Sequence, residues 1–245
     1  MSEIIIYIII LLVVVAALAY ATVKYLPLNA RPIVNLVLLL IAGFLGYQIY
    51  ESVDAPVRFN TEKVKRYTKV VKVLKDIRNS ELAHKEVTGK YTNSFDNLVK
   101  FIDTAKFTIT QQRDSSFMYF DKVRGIDDSK DTVLIDTLGF VSVRDSLFKN
   151  DARYKNMMWV PIPGKDKKIK FELKTGSVNK SNVDVEVFMA RVDKSKVLYD
   201  QNKDLITIEK NIKSTKEING PYIQVGSIDD VNDSGNWPKL YDIEE

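Results

Sequence analysis

Residues 60–89 read NTEKVKRYTKVVKVLKDIRNSELAHKEVTG, and their periodicity decides the fold class. Tyr67, Val70, Val71, Leu74, Ile77 and Leu82 recur at three- and four-residue steps, the stripe of an amphipathic helix. Asn60 or Thr61 can cap its start, Glu62 complements the N-terminal dipole, and Gly89 is placed to end it as a C′ residue. Lys65, Lys69, Lys72 and Lys75 fill the opposite face. That basic face reads as solvated, with anionic headgroups or an acidic partner as the alternative. The stretch ESVDAPVRF, residues 51–59, contains Pro56 and is expected to break the chain before the helix begins.

Upstream the composition changes sharply. Ile4 to Ala21 is an uncharged apolar run, and Ile33 to Tyr50 is a second. Each is about as long as a helix needs to be to cross a hydrocarbon core of roughly 30 Å. Tyr7 and Tyr20 lie toward the ends of the first, where amphipathic rings favour the interface. The linker VKYLPLNARP is so short that the two runs are expected to form an antiparallel hairpin. Ala42 and Gly46 make a small-xxx-small pair that suits close helix packing, and with it an oligomer formed through the hairpin. The chain opens Met1-Ser2-Glu3 without the basic start of a signal peptide, so the first run is expected to be kept as an anchor. Lys24 and Arg31 in the linker predict a cytoplasmic linker and a soluble part on the periplasmic side of a bacterial inner membrane, whereas Arg58, Lys63, Lys65 and Arg66 just after the second run favour the alternative, a cytoplasmic soluble part.

Downstream, Ser94 is placed to cap a short helix over residues 95–104. Strands are expected at Phe117–Phe120, Thr132–Asp136, Val141–Val143, Met158–Val160, Lys168–Leu173, Val183–Arg191 and Tyr222–Val225. In VDVEVFMAR, Val183, Val185 and Val187 alternate with Asp184, Glu186 and Phe188, then Met189, as in a strand with one buried and one wet face. Gly125, Gly139, Gly164 and Gly176 are expected to punctuate these runs. The fold class is therefore α+β: a membrane hairpin over residues 1–55, a long and a short helix over 56–110, and an antiparallel sheet over 111–245.

Composition excludes several chemistries. The 245 residues carry a formal net charge of +4, with basic and acidic side chains interleaved, so no nucleic-acid footprint is indicated. Cysteine is absent, and His84 is the single histidine, so thiol catalysis and multi-histidine metal sites are ruled out. His84 stands three residues after Glu81, a spacing open to an acid–base pair, but a helix-surface contact is the expected role and an enzyme is not predicted. VTGKYTNS lacks the upstream glycine of a phosphate loop. Trp159 and Trp237, with Met157 and Met158, are expected in the core, the alternative being a partner-binding patch.

The remaining candidate site is IDDVNDSGNW, residues 228–237. Asp230, Asn232 and Ser234 alternate and Gly235 follows, the opening of an EF-hand-type calcium loop. The twelfth position is Tyr241, where such a loop needs a bidentate Glu. The alternative is an Asx turn with Gly235 at positive φ, feeding Trp237 into the core. No other cofactor is indicated.

Ile77, Gly89, Tyr91, Thr92 and Leu98 fill the helix-to-loop junction in a way that resembles type IV pilins and type II secretion pseudopilins. VGSIDDVNDSGNW resembles the calcium loop that ends major pseudopilins. This resemblance implies a pilin-like soluble domain. No basic leader, processing Gly and mature Glu precede Ile4 or Ile33, so assembly into a pilus is not implied. Over most of its length the chain resembles two-helix membrane-anchored envelope proteins of Bacteroidota. The blocks that carry this are Ile77–Thr92, Val141–Phe148 and Val225–Trp237. The resemblance implies a Gram-negative envelope protein with no established activity. The function expected is a non-enzymatic structural or adaptor subunit of an envelope assembly, working with other envelope proteins and membrane lipid. The competing expectation is a calcium-dependent pseudopilin-like binding module.

Overall fold

The computed structural model describes residues 13–17, 19–21, 24, 27, 31–123, 125–149, 151–162 and 169–242. The chain divides into two compact units, Met1–Arg58 and Phe59–Glu245. In the first, residues 13–17, 19–21 and 24 are helical, whereas residues 4–12 of the predicted first span lie outside the described residues. The second apolar run belongs to helix α1, Arg31–Thr88. An 18-residue window of α1 has mean hydropathy 2.0 with none of it buried, which is compatible with a membrane anchor.

The predicted break over residues 51–59 is not there. Helix α1 runs through Pro56 as one element of 58 residues, so Asn60 and Thr61 are interior positions and cap nothing. Proline removes one backbone donor, here leaving the Ser52 carbonyl without its partner four residues on, a local loss that a long helix absorbs. Arg58 braces this turn by pairing with Glu51 at 2.7 Å and Asp54 at 3.1 Å. At the other end Gly89 adopts φ +80° and its N–H returns to the Lys85 carbonyl at 2.8 Å, the left-handed stop expected of it.

In the second unit, Tyr67, Val70, Val71, Leu74 and Ile77 are all buried and form the spine of the core. Helix α2, Phe95–Thr104, begins at Ser94, whose hydroxyl accepts from Asn97 N–H, and it buries Leu98, Phe101 and Ile102. The chain then forms β1, Lys106–Asp121, and β2, Ile126–Ser142, a two-stranded antiparallel ribbon joined by a turn with Gly125 at φ +67°. The short helix α3, Val143–Phe148, and a 3-10 turn at Ala152–Asn156 return to the core.

A second, three-stranded sheet follows in the order β3–β4–β5, from Glu172–Lys180, Val183–Asp193 and Tyr222–Gly226. Ser181 and Asn182 both take positive φ, which gives a two-residue hairpin turn between β3 and β4. Helices α4, Lys194–Val197, and α5, Lys203–Lys210, connect β4 to β5. The buried face of β4 is not the one the valines suggest. Val183 is exposed, and Phe188, Ala190 and Val192 join Ile223 and Val225 in the core. Val187 and Met189 are buried as well, so the middle of the strand is covered on both faces.

Other strand expectations resolve differently. Met158–Val160 amounts to a single bridge, Trp159 to Lys170. Lys168 and Gly164 lie outside the described residues, and β3 begins only at Glu172. Val143 starts a helix, while Gly139 and Gly176 lie inside strands. Gly139 sits beside the bulge in β2, next to the register shift between Ile109 and Thr110 of β1. Met157 is buried, and Met158, Trp159 and Trp237 are half-buried, with Trp237 packed on the core.

Gly226 has the strictest steric requirement. At φ +72°, an added Cβ would sit 2.2 Å from the Phe188 carbonyl oxygen. Gly226→Ala is therefore expected to destabilise the second unit by on the order of 2 kcal/mol or more. Thermal melting of the purified protein checks this. A loss no larger than that of Gly220→Ala, where φ is also positive but an added Cβ meets nothing, would contradict it.

Candidate functional site

The predicted calcium residues lie in the turn after β5. Asp230 accepts the Val231 N–H at 2.7 Å, and Asn232 accepts the Ser234 N–H at 2.8 Å. Both side chains are thus engaged by the loop's own backbone, Asn232 as an Asx turn and Asp230 by the N–H of the next residue. Ser234 gives its carbonyl to Gly226 N–H at 3.1 Å, and Asn236 N–H bonds the Gln224 carbonyl at 3.1 Å. The Asn236 side chain adds a bond to Gln224 N–H at 3.0 Å and one to the Tyr222 carbonyl at 2.9 Å. Segment 234–236 therefore closes the outer edge of β5. Gly235 is not at positive φ, contrary to expectation. Its missing side chain instead admits the Trp237 ring, which a Cβ would meet at 2.3 Å. Among the described residues no group of three or more His, Asp or Glu converges as a metal cage would.

A cleft of 340 Å³ lies beside this loop, lined by Lys85, Tyr91, Glu186, Phe188, Asn232 and Asp233, among others. Lys85 lines it, with its ammonium 4.6 Å from the Tyr91 ring centroid and 3.3 Å from the Glu186 carbonyl. His84 and Glu81, the candidate acid–base pair, are directed apart. His84 Nδ1 lies 2.6 Å from the Lys90 carbonyl, and the ring stacks edge-on against Phe101 at 4.8 Å. Glu81 is fully buried and accepts the Thr92 N–H at 3.0 Å through Oε2, while Oε1 has no partner. Burial raises its pKa to about 8, against the opposing effect of the Thr92 bond, so it is neutral at pH 7.

A buried ionic network escapes the sequence reading. Lys63 and Arg66 fall outside the apolar stripe, yet both are buried. Lys63 reaches Glu209 at 3.1 Å and Glu217 at 3.0 Å. Lys194, with no exposed surface, bonds Glu209 at 3.0 Å and the Ile218 carbonyl at 2.5 Å. Tyr241 donates to Glu217 at 2.7 Å. Burial, helped by these carboxylates, pushes the Tyr67 hydroxyl well above the ordinary tyrosine range. Arg66 forks onto Asp200 at 2.5 and 2.8 Å, and those bonds hold the Asp200 carboxyl down at about 2. All these charges are spent on one another, which ties α1 to α4, α5 and the C-terminal segment. The arrangement suits a structural clasp.

The ribbon β1–β2 has no such closure. Phe117 and Tyr119 lie on one face, their rings 6.5 Å apart, and Met118 and Phe120 on the other. Across the ladder, Leu134 shares the first face, while Val133, Ile135 and Phe140 share the second. All of these side chains are exposed, Met118 by 73% and Phe140 by 65%. Only the root is seated, where Phe107 packs on the core. Sequence alone does not announce a free-standing ribbon, because Phe117–Phe120 and Thr132–Asp136 read as short pieces of a single sheet. The available signal is two apolar runs, Phe117–Phe120 and Val133–Ile135, with only a Gly125 turn and no helical period between them.

Comparison with protein-family models, with curated proteins and with solved structures finds no match to this chain.

Proposed function

We propose that the chain is a non-enzymatic, inner-membrane-anchored structural or adaptor subunit of a bacterial envelope assembly serving secretion, motility or envelope maintenance. In this reading Ile4–Ala21 and Ile33–Tyr50 form the anchoring hairpin, and a pilin-like domain works on the periplasmic side. The observation that carries the proposal is the ribbon. Over a ribbon of two long strands, Phe117, Met118, Phe120, Val133, Leu134, Ile135 and Phe140 leave apolar side chains exposed on both faces without a core of their own. Two strands alone are marginally stable in water, and apolar surface on that scale marks an interaction site. The apolar, unburied window of α1 supports the anchor.

Mild crosslinking of native membranes followed by co-purification tests the proposal. Stable envelope partners are expected with the wild-type chain, and fewer with Met118→Asp/Phe120→Asp. A lone monomer would overturn the adaptor reading. Protease access in spheroplasts tests the orientation, with cleavage of the soluble part expected from outside.

The competing reading, a calcium-dependent pseudopilin-like binding module, draws on Asp230, Asn232 and Ser234 and on the cleft beside them. Since Asp230 and Asn232 already bond the loop backbone, millimolar calcium is expected to leave the melting temperature unchanged. Asp230→Ala is expected to cost no more than about 1 kcal/mol. A calcium-dependent rise in melting temperature that Asp230→Ala abolishes would favour the binding module.

A further inference from the structure

We infer that the ribbon's occupant is a second copy of this chain, joined by antiparallel pairing of the two free β1 edges about Arg113; this rests on the adaptor reading and deepens it. β1 pairs with β2 along one edge only, and its other edge continues through sixteen residues without proline. Such an edge is a template for another strand. Antiparallel pairing of identical strands requires a two-fold axis through the sheet, so each residue meets a copy residue of the same face.

Centred on Arg113, the register brings Ile109 against Phe117 of the copy and Phe107 against Tyr119 of the copy. On the opposite face Thr108 meets Met118 of the copy, Thr110 meets Ser116 and Gln112 meets Asp114. On the first face, Phe117 and Tyr119, exposed in the single chain, thus land on Ile109 and Phe107 at the root of the other ribbon, while on the second Met118 and Phe120 lie against Thr108 and the Lys106 stem. The two Arg113 side chains meet at the axis, and each is already neutralised by its own Asp136 at 3.0 Å. Shifting the axis to Asp114 would instead oppose two carboxylates that lack such a partner across the ladder, where Asp114 faces Val133.

The dimensions are sufficient. About fifteen paired residues, Lys106–Phe120, at about 3.3 Å each give a seam of about 50 Å. With side chains above and below, such a seam covers on the order of 1,000 Å² in total, at the threshold of specific association. A shared membrane would raise the effective concentration of one copy for another.

The absence of cysteine makes the test direct. Arg113→Cys in the full-length protein, oxidised mildly in native membranes, should give a disulfide homodimer, because residues opposite one another in an antiparallel pair lie within bridging distance. Met118→Cys alone should not crosslink, but co-expressed with Thr108→Cys it should give the mixed dimer. Thermal melting of each variant verifies that the second unit is folded. Failure of Arg113→Cys to dimerise in a folded protein would overturn the inference, as would equal dimerisation of Arg113→Cys and Met118→Cys alone. Co-purified partners without a disulfide dimer of the Arg113→Cys variant would refute this pairing and leave the adaptor reading standing. A lone monomer in both experiments would refute both.

Discussion

Glu209→Ala is expected to be among the most destabilising single substitutions in the second unit, at about 3–5 kcal/mol. Glu209 is buried and accepts from both Lys63 and Lys194. Removing it leaves Lys194, without exposed surface, holding only carbonyl oxygens, and leaves Lys63 with Glu217 alone. An uncompensated buried ammonium is costly because the interior cannot replace its hydration. For a unit of this size the loss corresponds to a fall in melting temperature of roughly 10 °C. The double variant Lys194→Met/Glu209→Leu should recover much of it, since a buried ion pair replaced by apolar side chains of similar volume is often neutral or stabilising. Thermal melts of Lys194→Met, of Glu209→Leu and of the double variant complete the cycle. Additive losses would show that Lys194 and Glu209 do not depend on each other.

Glu81→Gln is expected to act in the opposite direction and only at neutral to alkaline pH. The folded pKa of Glu81 is raised, by burial, from an ordinary 4.5 to about 8. Below pH 4.5 the carboxyl is neutral both folded and unfolded, and its environment costs nothing. As pH rises from 4.5 to 8, the unfolded chain ionises while the folded one holds its proton, so stability is lost steadily. Glutamine keeps the acceptor for Thr92 N–H and carries no charge. The variant should therefore match the wild type near pH 4.5 and exceed it by on the order of 4 kcal/mol at pH 8. Melting curves across this range check the sign. A variant less stable than wild type at pH 8 would contradict the assignment of a neutral, buried Glu81.

Much of the second unit is legible in the sequence because local chemistry and tertiary packing agree there. The stripe from Tyr67 to Ile77 is buried as its period requires, Gly89 stops the helix and Ser94 starts the next. Legibility fails where a long-range partner decides the outcome. Pro56 signals a break, but one missing N–H does not stop a helix extended on both sides. Lys63 and Arg66 read as surface side chains because their partners, Glu209 and Asp200, lie more than a hundred residues away. Val183, Val185 and Val187 read as the inner face of β4, but the inward turn of Phe188 sets the register. At the C-terminal loop the spacing of Asp230, Asn232 and Ser234 fits an Asx turn as well as a cation, and only geometry shows where those oxygens are engaged.

The central claim is that the β1–β2 ribbon is a protein-binding arm. Its most direct test is a photo-crosslinking amino acid at Met118, activated in intact cells. A discrete covalent adduct with a protein is expected, lost when the label is moved to an exposed helix position such as Lys69. A label at Met118 that yields only the uncrosslinked monomer, in a protein shown to be folded and membrane-bound, would contradict it.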